Sequence, residues 1–238
     1  MRIPKLLPWA LSCVPLFACG GGESAEMATA SESSSGADLA DSEEEVDDGV
    51  QMEGLRGTLS QDEIQMSLEP RMLKFANCVA KRTGDNETIA GNVGLAFLVS
   101  VDGSVGEVKL TRSEVGDRRA ERCILKVARK VRFPDPHGGE AEFEWSFEVP
   151  ADPEVRPPVP WTATEVATVL EEQGDSVRES CGTGYEVTVY VNTDGSVLGA
   201  GAVSESGDEA SLDCVSDAVA AWTFPSPGPY PSKVTFPL

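Results

Sequence analysis

Apolar residues recur along this chain at two periods, and the period changes at recognisable landmarks. Ser60-Gln61-Asp62-Glu63 has the form of a capping box, in which the serine hydroxyl takes an unpaired first-turn amide and the glutamate reaches back to the cap. Ile64, Leu68, Met72, Phe75, Ala76 and Val79 then return every three or four residues. That spacing predicts a helix with one apolar stripe, kinked or divided near Glu69 because Pro70 lacks an amide hydrogen. The period then drops to two. Val93, Leu95, Phe97, Val99 and Val101 alternate with mostly small residues, Asp102-Gly103 supplies a turn that tolerates positive φ, and residues 105–110 return, which predicts a hairpin. A second helix is expected over 118–131, with Ala120, Ile124, Val127, Ala128 and Val131 inward. Phe133-Pro134 ends it, since proline disfavours helical geometry in the residue before it. In the stretch 143–149, Phe143, Trp145, Phe147 and Val149 occupy every second place, so a last strand buries one face and wets the other.

The same string of signals occurs twice. Val99-Ser100-Val101-Asp102-Gly103-Ser104-Val105 matches Val191-Asn192-Thr193-Asp194-Gly195-Ser196-Val197, and Cys123 followed by Phe133-Pro134 matches Cys214 followed by Phe224-Pro225. Cys78 matches Cys181 if the first copy carries an insertion around 83–92. Several matches in one order identify an internal repeat. In the second copy Thr162-Ala163-Thr164-Glu165 repeats the capping box, Val166, Val169, Leu170 and Val177 form the stripe, and the helix ends near Cys181-Gly182. Tyr185, Val187, Val189 and Val191, Asp194-Gly195 and residues 197–203 form the second hairpin. A helix over 209–221 and a strand with Val234, Phe236 and Leu238 close the chain. The fold class expected is α+β: two small αββαβ domains, each a three-stranded antiparallel sheet with two helices on one face. Five prolines between Pro150 and Pro160 make the connection semi-rigid and extended.

The six cysteines narrow the compartment. Cys13 lies in a short apolar run, residues 6–18, that follows Arg2 and Lys5, is interrupted by Pro8 and Pro15, and is too short to span a bilayer; it reads as a signal peptide. Leu16-Phe17-Ala18-Cys19 resembles the lipobox of bacterial lipoproteins, with Cys19 as the lipidated residue. The other reading is an ordinary signal peptide cleaved near Gly20 or Gly22. Cys78, Cys123, Cys181 and Cys214 remain, an even number, as a disulfide framework in an exported chain requires. In each copy one cysteine is late in the first helix and the other is on the second. If both helices cover one face of the sheet, the simplest pairing is Cys78 with Cys123 and Cys181 with Cys214.

Charge removes further classes. The formal net charge of −21 repels nucleic-acid phosphates, so nucleic-acid binding is not expected. From Gly20 to about Gly57 the chain is Ser, Ala, Gly, Asp and Glu with a single basic residue, Arg56, a composition expected to stay an extended tether. The run 41–48 lacks the spacing of a calcium loop, although a basic partner is a second reading. The organisation expected is a signal peptide over 1–18, a lipidated acidic tether over 19–57, a first domain over 58–149, a proline-rich linker over 150–160 and a second domain over 161–238.

The first copy resembles the AgmX/PglI C-terminal domain, a module of myxobacterial envelope and gliding-motility proteins related in fold to the TonB C-terminal domain. The resemblance is carried by Leu59-Ser60, Cys78, Gly91-Asn92-Val93, Asp102-Gly103-Ser104-Val105, Glu121-Arg122-Cys123-Ile124, Arg132-Phe133-Pro134 and Gly138-Gly139, which together span nearly all of 58–149. The second copy shares Asp194-Gly195-Ser196-Val197, Cys214 and Trp222-Thr223-Phe224-Pro225; it is shorter and lacks the Gly-Gly pair. The resemblance implies a TonB C-terminal-like fold and a protein-interaction or envelope-associated role, with no catalytic residues to carry over.

The function expected is therefore that of a non-enzymatic envelope lipoprotein on the periplasmic or cell-surface face of a bacterial membrane, the outer membrane in particular. It would act as a protein- or peptide-binding scaffold, as part of a gliding-motility or envelope assembly. Extended peptides add to open sheet edges through main-chain hydrogen bonds, and the last strands, 143–149 and 234–238, are the candidate edges. The alternative is a structural spacer or assembly component without a specific ligand, in which the copies pack on each other. No cofactor or metal is implied: His137 is the only histidine, it sits in the turn-like Pro136-His137-Gly138-Gly139, and there is no Cys-x-x-Cys pair. The first copy's second helix carries Arg118, Arg119, Arg122, Lys126, Arg129, Lys130 and Arg132, whereas the second copy has only Arg178 and Lys233. Arg119, Arg122, Lys126, Arg129 and Lys130 are either a solvated helix face or a surface for an anionic partner, be it an acidic protein, lipopolysaccharide phosphates or the chain's own tether.

Overall fold

In the computed structural model, which describes residues 56–238, the Ser60 capping box opens α1 (Gln61–Leu68): the Glu63 amide donates to Ser60 Oγ and the Ser60 amide to Glu63 Oε2. Pro70 sits in a 3₁₀ turn, Glu69–Arg71, that divides this helix from α2 (Met72–Ala80), as a proline without an amide hydrogen requires. A hairpin follows, with β2 (Gly91–Val99) and β3 (Val105–Ser113). Then α3 (Arg118–Ala128) starts at Asp117, whose side chain accepts the Ala120 amide, and β4 (Glu140–Val149) completes the half. The second half repeats the order with α4 (Ala167–Cys181), β6 (Tyr185–Val191), β7 (Val197–Ser204), α5 (Glu209–Ala220) and β8 (Ser232–Pro237). Glu165 accepts from the Thr162 amide, half of the predicted capping box, but the Thr162 hydroxyl takes the Thr164 amide instead, residues 163–166 form a turn and helical geometry starts only at Ala167.

The sheets differ from expectation in one respect. Each has four strands rather than three, because β1 (Arg56–Gly57) runs parallel to β4 at Glu140 and Ala141, and β5 (Val159–Pro160) runs parallel to β8 at Ser232 and Lys233. Two-residue strands show no alternation to read, so the ends of the expected tether and linker carry no sequence sign of being sheet. The orders are β1-β4-β2-β3 and β5-β8-β6-β7. The predicted signal segment, Cys19 and the rest of the acidic stretch lie outside the described residues. Among the described residues no helix is long and apolar enough to cross a membrane.

Both hairpin turns are built alike. Asp102 Oδ1 accepts from the Ser104 amide and hydroxyl, and Asp194 Oδ1 does the same with Ser196; these bonds hold both carboxyls below the ordinary range. The glycines that follow adopt φ of 74° and 86°, which disfavour a side chain. Their carbonyls accept the amides of Phe133 and Phe224, each at 2.9 Å. The Asp-Gly and Phe-Pro landmarks of the sequence thus meet in space, and each explains the other structurally.

Helices cover one face of each sheet. In the first half Phe75 stacks on Phe147 and Phe97 stacks on Phe143, with Phe133 edge-on to both Phe97 and Phe143. Cys78 on α2 is bonded to Cys123 on α3, with Cα atoms 5.5 Å apart, and Cys181 on α4 to Cys214 on α5 at 5.7 Å. Both pairs are the simple within-half pairings.

The other face of the second sheet is also covered, by the first half. Residues 56–238 lie within a single compact unit, and Val203 of β7 belongs to the first half's core. Thr188 and Tyr190, opposite Gly201 and Gly199, point away from the second core. Thr188 Oγ1 donates to Ser113 O at 3.1 Å. The Tyr190 hydroxyl lies 3.1 Å from Ala90 O and 3.3 Å from Glu114 O, and accepts the Ala90 amide at 3.3 Å. Burial pushes that phenol up to about 12, so it stays a donor throughout the working pH range. Tyr190→Phe strips the Ala90 amide of its partner and is expected to cost about 1–2 kcal/mol in equilibrium unfolding; an unchanged midpoint in urea would argue against a shared interface.

Candidate functional site

The basic helix is where the structure departs most from a plain solvated face. Arg118 is buried; its Nε donates to Asp213 Oδ1 of α5 at 2.7 Å and its Nη2 to Glu209 O at 3.2 Å. Arg122 lies 3.6 Å from Asp213 Oδ2, and Arg129 pairs with Glu209. Two arginines of α3 and Arg129, its C-cap, therefore face acids of the second half. An anionic partner for this helix exists within the chain itself. Arg119, Lys126 and Lys130 are exposed, and none is in an ion pair among the described residues.

Between these arginines and β7 lies a residue whose role sequence reasoning missed. Glu121 is fully buried; one oxygen accepts from Ser113 Oγ at 2.7 Å, while the other is 3.8 Å from Arg118 Nη1, too far for a hydrogen bond. Among the described residues, neither Arg118 Nη1 nor Glu121 Oε2 has a hydrogen-bond partner. Burial pushes the carboxyl up to about 7, against the Ser113 hydroxyl and the Arg118 charge, with Asp117 adding to the rise. A Cβ on Gly201 would overlap this carboxylate, so the glycine makes room for it. In the sequence Glu121 sits among arginines like any i,i+3 surface partner; the only hint was the row of small residues in β7.

The interface leaves the four long strands that flank the central β2 and β6 unequally exposed. β3 has β7 and the following turn alongside it: Lys109 Nζ donates to Glu205 O at 2.9 Å, and a Cβ on Gly207 would press on Lys109 Cβ at 2.6 Å. β7 in turn has α3 beside it, and a Cβ on Gly199 would crowd Gly116 O at 2.8 Å. β8 offers only residues 234–237 beyond β5, and Pro237 has no amide to donate. β4 differs. β2 pairs with it along its whole length from Ala141 to Val149, but on the other side β1 stops at Ala141. Residues 142–149 therefore present one unpaired main-chain edge among the described residues. Of the two predicted edges, the one in the first half is the longer and more complete.

A groove of about 240 Å³ lies beside this edge, lined by Ile64, Leu68 and Met72, by Gln61, Gln65 and Glu69, and by Trp145 of β4. Trp145 is half-buried, stacked on Phe147 and tilted against Phe75. On the opposite face of β4, Glu142, Glu144 and Glu148 are exposed and stand opposite Leu98, Ala96 and Asn92 of β2. His137 is exposed next to the start of the strand; its amide and carbonyl pair with Thr58, and its Nε2 is 3.9 Å from Glu63 Oε1. Among the described residues no group of three or more His, Cys, Asp or Glu could hold a metal ion.

Comparison with family models, curated proteins and solved structures finds no match to the chain.

Proposed function

We propose that this protein is a non-enzymatic envelope lipoprotein, anchored through Cys19, whose first half binds an extended protein segment by adding it to the sheet along β4. The observation that carries the reading is the eight-residue stretch of β4 past Ala141 that has a strand on one side only. Unpaired main-chain donors and acceptors on a sheet edge are a ready template for another strand, and the groove at Trp145 gives alternate side chains somewhere to go. The resemblance of the first half to the AgmX/PglI C-terminal domain and the TonB-like fold supports the same role in a gliding-motility or envelope assembly. The second half is then a companion: its acids occupy one flank of α3, and β7 with its following turn lies against β3.

A second reading, a structural assembly component without a specific ligand, is favoured by the packing of the halves on each other. A photo-crosslinking residue at Ser146, exposed on β4, separates the two when introduced into the full chain in its native envelope. Edge binding predicts a discrete crosslinked partner at position 146 and none from the same group at Thr193, an exposed turn of the second half. Equal or absent crosslinks at both positions would sink it. The anchor is tested separately: Cys19→Ala is expected to move the protein from the membrane fraction to the soluble one.

A further inference from the structure

The two faces of β4 are chemically opposite, and a strand added beside it would have to satisfy both. We infer that the segment β4 receives is cationic on alternate residues and aliphatic on those between, a Lys/Arg-apolar-Lys/Arg pattern. This rests on the edge-binding reading and names the ligand class for it. In an added strand, successive side chains point to opposite faces, as they do in β4. Those on the helix side fall beside Trp145, Ile64, Leu68 and Met72, which accept an aliphatic side chain, while Gln61, Gln65 and Glu69 also line this groove.

Those on the outer side become cross-strand neighbours of Glu142, Glu144 and Glu148, with Cβ atoms about 4.5–5.5 Å apart where residues are directly opposite. On their existing side these carboxylates face Leu98, Ala96 and Asn92, none of them a cation, and none of the three is in an ion pair among the described residues. An incoming carboxylate would meet like charge at three rungs, and an incoming ammonium or guanidinium would meet opposite charge. Ser146, opposite Gly94, is the one neutral rung and tolerates either. A second copy of this acidic chain is disfavoured as the occupant by its overall charge.

Two synthetic eight-residue peptides test this on the full chain, one alternating Lys and Val and one alternating Glu and Val, with affinities measured by fluorescence anisotropy. The Lys–Val peptide is expected to bind at least tenfold more tightly. Glu142→Lys with Glu144→Lys is expected to reverse the order, although the chain remains strongly acidic overall, so attraction to net charge alone cannot produce the reversal. Methylating the backbone nitrogens of alternate Lys–Val residues is expected to abolish binding, because the contact is a main-chain ladder. Equal binding of both peptides to the natural chain would overturn the cation preference while leaving edge binding standing. An unreversed order in the double variant would assign the preference to net charge and overturn it too. Failure of both peptides to bind, with either chain, would overturn edge binding itself.

Discussion

Replacing Cys78 and Cys123 together by alanine is expected to lower the stability of the described unit by about 4 kcal/mol. The bond closes 45 residues, and cross-linking a loop of that size removes that much chain entropy from the unfolded ensemble in the loop-closure model. The effect is concentrated because the bond is the covalent tie between α2 and α3, which also place Phe75, Val79, Ala120, Ile124, Leu125 and Ala128 in a core shared with β2 and β4. The check is urea unfolding of the natural and substituted chains, comparing midpoints at equal slope. A loss below about 1 kcal/mol with unchanged slope would show that packing alone holds the helix pair. The Cys181–Cys214 bond closes 33 residues and is expected to contribute a similar amount in the second half.

The second large effect concerns pH. Glu121 ionises near 4.5 when the chain is unfolded, but burial between the halves pushes it up to about 7 in the folded protein. Between those two values the folded state holds a proton that the unfolded state has lost, so stability falls as pH rises, by up to about 3 kcal/mol across the window. Below 4.5 both states are protonated and the contribution is at its full value. Above about 7 the folded protein carries a buried carboxylate, with Arg118 3.8 Å away and Asp117 opposing it. Glu121→Gln keeps the shape and stays neutral, so it removes this slope. The variant is expected to match the natural chain near pH 4.5 and to exceed it by about 3 kcal/mol at pH 8. Taking the difference between the two chains cancels the exposed carboxylates, such as Asp102 and Asp194, which are common to both. A pH-independent difference would mean that Glu121 is ionised throughout.

Most of the framework was legible in the chain because each landmark has a local physical cause. Ser60 and Glu63 cap a helix, Pro70 divides it, the Asp-Gly pairs turn the hairpins, and the cysteines fall where paired helices bring them together. What escaped notice depends on tertiary contacts. Tyr190 and Thr188 are off the phase of Val187, Val189 and Val191, so alternation assigns them to solvent, yet the first half covers them. The strand Tyr185–Val191 is buried on both sides for most of its length, and a strand of that kind shows little contrast between its faces. Glu121 escaped for the complementary reason, since a single acid in a basic helix has an obvious surface role and only Gly201 opposite it makes burial feasible. The edge itself was half legible. Alternation over residues 143–149 showed a two-faced strand, but which strands stay unpaired depends on where β1 stops and on what β7 covers.

Amide hydrogen exchange on the full chain, with and without saturating Lys–Val peptide, distinguishes one usable edge from several. Slowed exchange confined to residues 142–149, with β3, β7 and β8 unchanged, is the predicted result. Protection appearing in β3 or β8, or no change along β4, would contradict a molecule in which the second half closes one side of the first sheet and leaves β4 as the strand that takes a partner.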